Sequence, residues 1–116
     1  MASWESVREL AADLPEVIEG SSYGTPALRV RKKLFARLLE DSETLVVFTD
    51  PLEREALIQG DPQTFYITPH YADYPAVLID LARVDAEELR ELLIESWRRR
   101  APKRLREAYD APWDAG

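Results

Sequence analysis

Hydrophobic and polar residues repeat along this chain with two different periods, and the periods predict the elements of the fold. Apolar side chains recur every three or four residues over 4–13, which predicts an amphipathic helix. A second, short helix is predicted to begin at Asp50-Pro51, with Glu53 completing a capping box, and to end at Gly60. A longer helix is predicted to begin at Asp85 and to be interrupted at Pro102. Residues 103–110 are expected to add one or two further helical turns.

A period of two predicts the strands of the sheet. Side chains alternate with this period over 28–30 and 34–38, with Arg29 and Arg37 among the alternate positions. These segments are expected to form a hairpin with a basic tip at 31–33. Gly24 and Pro26, just before it, are expected to serve a sharp turn. Three more strands are predicted, at 44–48, 64–68 and 76–81.

Each strand of this hairpin is predicted to present one apolar and one basic face. In its second strand, Leu34, Ala36 and Leu38 share the apolar face by alternation. Phe35 and Arg37 are then expected on the opposite, basic face.

The order of helices and strands predicts an α+β fold. We expect a two-layer α-β(3)-α-β(2)-α domain, in which helices cover one face of a mainly antiparallel five-stranded sheet. A chain of 116 residues with 46% hydrophobic residues can bury one core, so we expect a single domain over 1–116. Residues 107–116 are expected to be a loosely ordered tail.

Composition excludes several classes of protein. The chain has no cysteine, which removes disulfides and thiolate zinc sites, and His70 is its only histidine. Apolar runs are only a few residues long, and the first residues carry charges instead of an apolar signal segment. We therefore expect a cytoplasmic protein that binds no membrane, no metal and no cofactor.

Charge is distributed unevenly, and this suggests where a ligand could bind. The net charge of -7 argues against simple electrostatic capture of nucleic acid. Of the 15 basic residues, however, five lie within 29–37 and six within 98–106. Two local positive segments are thus expected on an acidic protein.

The order of elements and several short motifs together resemble the MmcQ/YjbR family of small bacterial proteins. The matching motifs are Leu14-Pro15-Glu16-Val17, Glu19 to Pro26, Lys33 to Arg37, Thr68-Pro69-His70-Tyr71, Val77 to Leu81, Asp85 to Trp97 and Ala101-Pro102-Lys103. Many members have a tryptophan just before the last strand, where this chain has Tyr74-Pro75-Ala76. The resemblance implies the fold given above, which is similar to secretion chaperones and to frataxin-like sheets.

Members of that family are often described as DNA-binding through two protruding loops, a double wing. By this resemblance the wings would be 29–37 and 69–75, extended by the basic stretch after Trp97. Their cations would neutralise phosphates and their rings would stack on bases. The candidate residues are Arg29, Arg31, Lys32, Lys33, Arg37, His70, Tyr71, Arg98, Arg99 and Lys103.

Each of these features also has an ordinary structural interpretation. Charges on a strand keep its outer face solvated, and the aromatic residues of 69–75 could pack back onto the sheet. Cations at 98–106 complement the dipole of the preceding helix and can pair with nearby glutamates.

The alternative function is protein interaction or homodimerisation, with no role for nucleic acid. An edge strand or an open sheet face would form the contact, and Phe35, Leu39, Val46 and Phe48 supply apolar residues that one layer of helices need not cover. No set of nucleophile, base and orienting group is apparent, so we expect no enzymatic activity.

Overall fold

A six-stranded sheet and the helices packed on one of its faces make up the two layers of the fold. The computed structural model describes residues 2–110. Its elements are α1 (Trp4–Ala11), β1 (Val17–Ser22), β2 (Thr25–Val30), β3 (Lys33–Leu38), β4 (Thr44–Phe48), α2 (Pro51–Gly60), β5 (Phe65–Tyr66), a 3-10 turn (Pro69–Tyr71), β6 (Ala76–Asp80), α3 (Ala86–Arg100) and α4 (Lys103–Asp110). The strands lie in the order β1-β2-β3-β4-β6-β5, and all neighbours are antiparallel. The predicted α+β class is confirmed.

The first strand is the main correction to the predicted topology. β1 was not expected, so the sheet has six strands instead of five. It joins β2 through a two-residue turn in which Tyr23 and Gly24 both have positive φ, 52° and 83°, as a type I′ hairpin requires. Pro26 lies within β2 opposite Ser21, not in the turn.

The helical turns predicted over 103–110 are present as α4. α4 is a full helix that runs to Asp110, so the first four residues of the predicted tail are helical. The rest of that predicted tail, 111–116, lies outside the described residues. Among residues 2–110, no helix is both long and apolar enough to cross a bilayer.

A β-bulge in β3 changes which side chains face the core. Leu28 pairs with Ala36 but Arg29 pairs with Leu34, so Phe35 is an extra residue without a partner on β2. Phe35 and Ala36 therefore both lie in the core, and Leu34 lies on the other face of the sheet. The prediction that Leu34 shares the core face and Phe35 the basic face is wrong for this reason.

Two side chains of α3 bind the backbone that the bulge leaves unpaired. The Ser96 hydroxyl donates to the Phe35 carbonyl at 2.5 Å and accepts from the Phe48 amide at 2.8 Å. One turn later, Arg100 Nε donates to the Leu34 carbonyl at 2.8 Å. Because buried backbone groups need partners, these contacts fix α3 against β3 and β4.

The core lies between the sheet and helices α1 and α3. Its largest side chain, Trp97, is fully buried and donates its indole N–H to the Pro15 carbonyl at 3.0 Å. The opposite side of the sheet, which we call the open face, carries a smaller cluster around Val46, Ala76 and Leu78. Tyr71, from the loop before β6, packs against this cluster.

Candidate functional site

The two loops proposed as wings leave the sheet at the same end. Ala76 at the start of β6 pairs with Phe48 at the end of β4, and Val47 pairs with Ala36 near the start of β3. The β2–β3 turn and loop 69–75 therefore project from one end, which we call the loop end. α3 also ends there, since Arg100 binds the Leu34 carbonyl.

Acidic residues neutralise much of the positive charge at the loop end. Arg31 forms an ion pair with Glu16, whose carboxylate accepts two of its hydrogen bonds. These hydrogen bonds lower the pKa of Glu16 and raise the pKa of Arg31. The other ion pairs here are Arg98 with Asp110 and Glu95, Arg99 with Asp50, and Lys103 with Glu107.

Few of the predicted phosphate-binding cations remain exposed and free of carboxylates. Arg29 is half-buried and donates to the Ser21 carbonyl at 3.0 Å. Lys32 and Lys33 are exposed, and within residues 2–110 neither has an ion-pair partner. They are the clearest solvent-facing cations of the β2–β3 hairpin.

Arg37 occupies a different place from the other predicted cations. Arg37 is only 8% exposed, and it lies on the open face of β3. Its guanidinium donates to the Ser22 carbonyl at 3.1 Å, to the Tyr71 hydroxyl at 3.1 Å and to Glu40 at 2.9 Å. Arg37 is therefore not part of an exposed basic track.

Around Arg37 the open face forms a groove of about 570 Å³. Its apolar surface includes Leu39, Val46 and Phe48. Tyr23 and Tyr74 also line it, so aromatic rings come both from the β1–β2 turn and from loop 69–75. We call it the open-face groove.

Loop 69–75 is held against the sheet and contributes an aromatic cluster to the groove. The ring of His70 lies 4.8 Å from that of Tyr71 and 6.0 Å from that of Tyr74, between centroids. Arg54 of α2 holds the loop by donating to the carbonyls of Ala72 and Tyr74 at 3.3 and 2.9 Å. Tyr71 thus packs back onto the sheet, while His70 and Tyr74 stay exposed.

The groove includes residues that the sequence did not single out as a site. Leu39, Val46 and Phe48 were expected on an uncovered face, and they do line the groove; Phe35, predicted with them, is in the core. Tyr23 and Glu40 were not expected at a site. The position of Tyr23 beside a glycine predicted only a turn, and no local pattern reveals that the turn folds toward Arg37, which lies 5.3 Å from the Tyr23 ring centroid.

The fold and the groove define a small two-layer α+β domain with one sheet face left uncovered, and comparisons with known proteins place it in a family. The family model described as YjbR matches residues 12–99. The chain therefore belongs to the YjbR family, as the motifs suggested.

Similar proteins are found in several bacteria. The uncharacterized protein Rv2570 of Mycobacterium tuberculosis and the uncharacterized protein Mb2600 of Mycobacterium bovis are each 34% identical to this chain, over 94% of it and 96% of their own length. The crystal structure of Deinococcus radiodurans protein DR2400, with family-model domain DUF419, is similar with a TM-score of 0.73 and 26% identity. That match covers 84% of this chain and 78% of the other.

Proposed function

We propose that this chain is a non-enzymatic binding domain that holds a segment of a partner protein in the open-face groove. The observation that carries the proposal is the apolar and aromatic lining of a sheet face that no helix covers. Leu39 and Phe48 in this lining are partly exposed. Together with the exposed rings of Tyr23 and Tyr74, they form apolar surface of the kind that marks interaction sites. Tyrosine in particular is enriched in protein interfaces, since its ring buries a large area and its hydroxyl can still find a partner.

The openness of the groove favours a macromolecular partner over an isolated small molecule. Tyr23 is 90% exposed and Tyr74 is 51% exposed, so the rings that border the groove do not close over it. Small-molecule sites usually enclose most of the ligand surface. A chain segment that continues beyond the groove can instead cover these two rings.

Selection from a phage library of random peptides with free C-termini tests the proposal. We expect peptides selected on the wild-type protein to lose most of their binding to a Tyr23→Ser/Tyr74→Ser variant. The control is Leu52→Ser, which removes an 82% exposed hydrophobic residue of α2 that does not line the groove. Equal binding of the selected peptides to the double variant would contradict the proposal.

DNA binding is a second candidate, supported by one specific observation. The hydrogen bond from Arg100 to Leu34 brings the end of α3 beside the β2–β3 hairpin, so the two basic segments meet at the loop end. Phosphate contacts need only exposed cationic donors, and Lys32 and Lys33 supply them.

Salt-dependent binding to a random DNA duplex tests this second candidate. If the loop end binds phosphates, Lys32→Glu/Lys33→Glu should weaken binding and reduce the salt slope by about two. The matched control is Arg83→Glu/Arg90→Glu, which makes the same charge change at exposed positions near the start of α3. An equal loss in both variants would show that only net charge matters and would contradict a DNA site at the loop end.

A further inference from the structure

Resting on the binding function proposed above, we propose that the open-face groove recognises the C-terminal aromatic residue of its partner. Arg37 would bind the terminal carboxylate, and the rings that line the groove would hold the aromatic side chain. The juxtaposition of a buried guanidinium and exposed tyrosine rings points to this ligand.

Arg37 has the donors that a carboxylate needs. A guanidinium carries five N–H bonds, and three of them donate to Ser22, Tyr71 and Glu40. One N–H on each terminal nitrogen is left without an acceptor within residues 2–110. Since Ser22 and Tyr71 fix the plane of the group, it is positioned in advance for an incoming anion.

Glu40 is the carboxylate that a ligand would compete with for Arg37. Its carboxylate lies 2.9 Å from Arg37 Nη2, but its side chain is 71% exposed against 9% for Arg37. An exposed carboxylate keeps most of its hydration and can leave at little cost. A partner carboxylate can therefore displace Glu40 and gain a charge-assisted hydrogen bond to a preorganised arginine.

The position of Tyr23 explains why ring and carboxylate should belong to one residue. The Arg37 guanidinium lies 5.3 Å from the Tyr23 ring centroid, so the aromatic and cationic parts of the groove are adjacent. In a C-terminal aromatic residue, the ring and the carboxylate are attached through the same Cα. An internal aromatic residue offers only the ring, since its carboxyl group is part of a peptide bond.

The first experiment compares two peptides that differ only at their end. An acetylated pentapeptide Ser-Gly-Ser-Gly-Phe is titrated into the wild-type protein as the free acid and as the C-terminal amide. We expect the acid to bind about tenfold more tightly, since it alone makes a hydrogen bond between charged groups. Free N-acetylphenylalanine is titrated in parallel and should bind more weakly than the pentapeptide acid.

Two substitutions assign the effect to Arg37. Glu40→Gln removes the competing carboxylate and should strengthen binding of the acid by about two- to fivefold, the range for an exposed ion pair, without changing the amide. Glu43→Gln, an exposed charge change in the same turn outside the groove, should change neither. Arg37→Gln should abolish the difference in affinity between acid and amide. If Arg37→Gln does not fold, the effect of Glu40→Gln on the affinity of the acid still tests the role of Arg37.

The outcomes separate this inference from the proposed function. Equal binding of acid and amide in the groove would overturn the carboxylate site and leave the proposed function standing. Binding of neither peptide would overturn this inference, while the phage selection decides the proposed function separately. If N-acetylphenylalanine binds as tightly as the pentapeptide acid, the site takes a small aromatic acid, and recognition of a chain end is overturned.

Discussion

Ser96 shows how much a single side chain can contribute to this fold. It is completely buried on α3. Its hydroxyl accepts a hydrogen bond from the Phe48 amide and donates one to the Phe35 carbonyl, where β3 and β4 separate. In the sequence it is a lone polar residue beside the apolar stripe of a helix, and nothing local indicates its partners. They lie 48 and 61 residues away along the chain.

Replacing Ser96 tests this role. Ser96→Ala leaves the Phe48 amide and the Phe35 carbonyl without a buried partner, so we expect a loss of about 2–4 kcal/mol of unfolding free energy. Urea denaturation measures it. Ser21→Ala, at an exposed serine of β1, should change the unfolding free energy by no more than about 0.5 kcal/mol. If Ser96→Ala caused an equally small loss, the assigned role of Ser96 would be contradicted.

Among the elements, those with clear periodicity or clear start and end signals were predictable and the others were not. The helix from 51 to 60 and the strand from 44 to 48 begin and end where their patterns indicated. β1 was missed because Val17–Ser22 is an edge strand, exposed along its middle and rich in small residues, so no alternation marks it. The predicted facing of β3 was wrong because a bulge adds one residue to the period, and the side chains that bind the bulged backbone, Ser96 and Arg100, lie on α3.

The turn between β3 and β4 gives the fold a measurable acid sensitivity. Burial tends to raise the pKa of Asp41, but hydrogen bonds from the Glu43 amide and from the Thr44 hydroxyl and amide outweigh this and lower it below its ordinary value of 3.8. A carboxylate whose pKa is lowered by folding stabilises the folded state at pH values above its pKa in the unfolded chain. This contribution is lost as the pH falls through the folded value.

Asp41→Asn is therefore expected to destabilise the protein by about 1 kcal/mol at neutral pH, a modest value because the turn is solvent-exposed. The difference from wild type should shrink as the pH falls below 3.8, where Asp41 of the unfolded wild-type chain binds a proton, and should level off below the lowered pKa of the folded state. Urea denaturation across this range measures it, with Glu43→Gln as the control for loss of one charge in the same turn. A difference independent of pH would contradict the assigned cause.

For the protein as a whole, the sequence predicted two basic segments but not what surrounds them. Some of their cations pair with nearby glutamates, as expected for the end of a helix. Others pair with acidic residues that are distant in sequence, such as Glu16 for Arg31 and Asp50 for Arg99. These distant pairs depend on tertiary structure and cannot be derived from local charge patterns. The apolar open face was more predictable: Leu39, Val46 and Phe48 line the groove, as expected of residues that one layer of helices need not cover, whereas Phe35 lies in the core.

The account centres on the open-face groove as the binding surface, and mapping of backbone amide chemical shifts tests it most directly. The protein is titrated with the pentapeptide acid, and the shift of every assigned amide is followed. We expect the largest changes at Tyr23, at 37–40 and at 71–76, with little change at Lys32 and Lys33. Changes confined to the β2–β3 turn and the end of α3 would contradict the account.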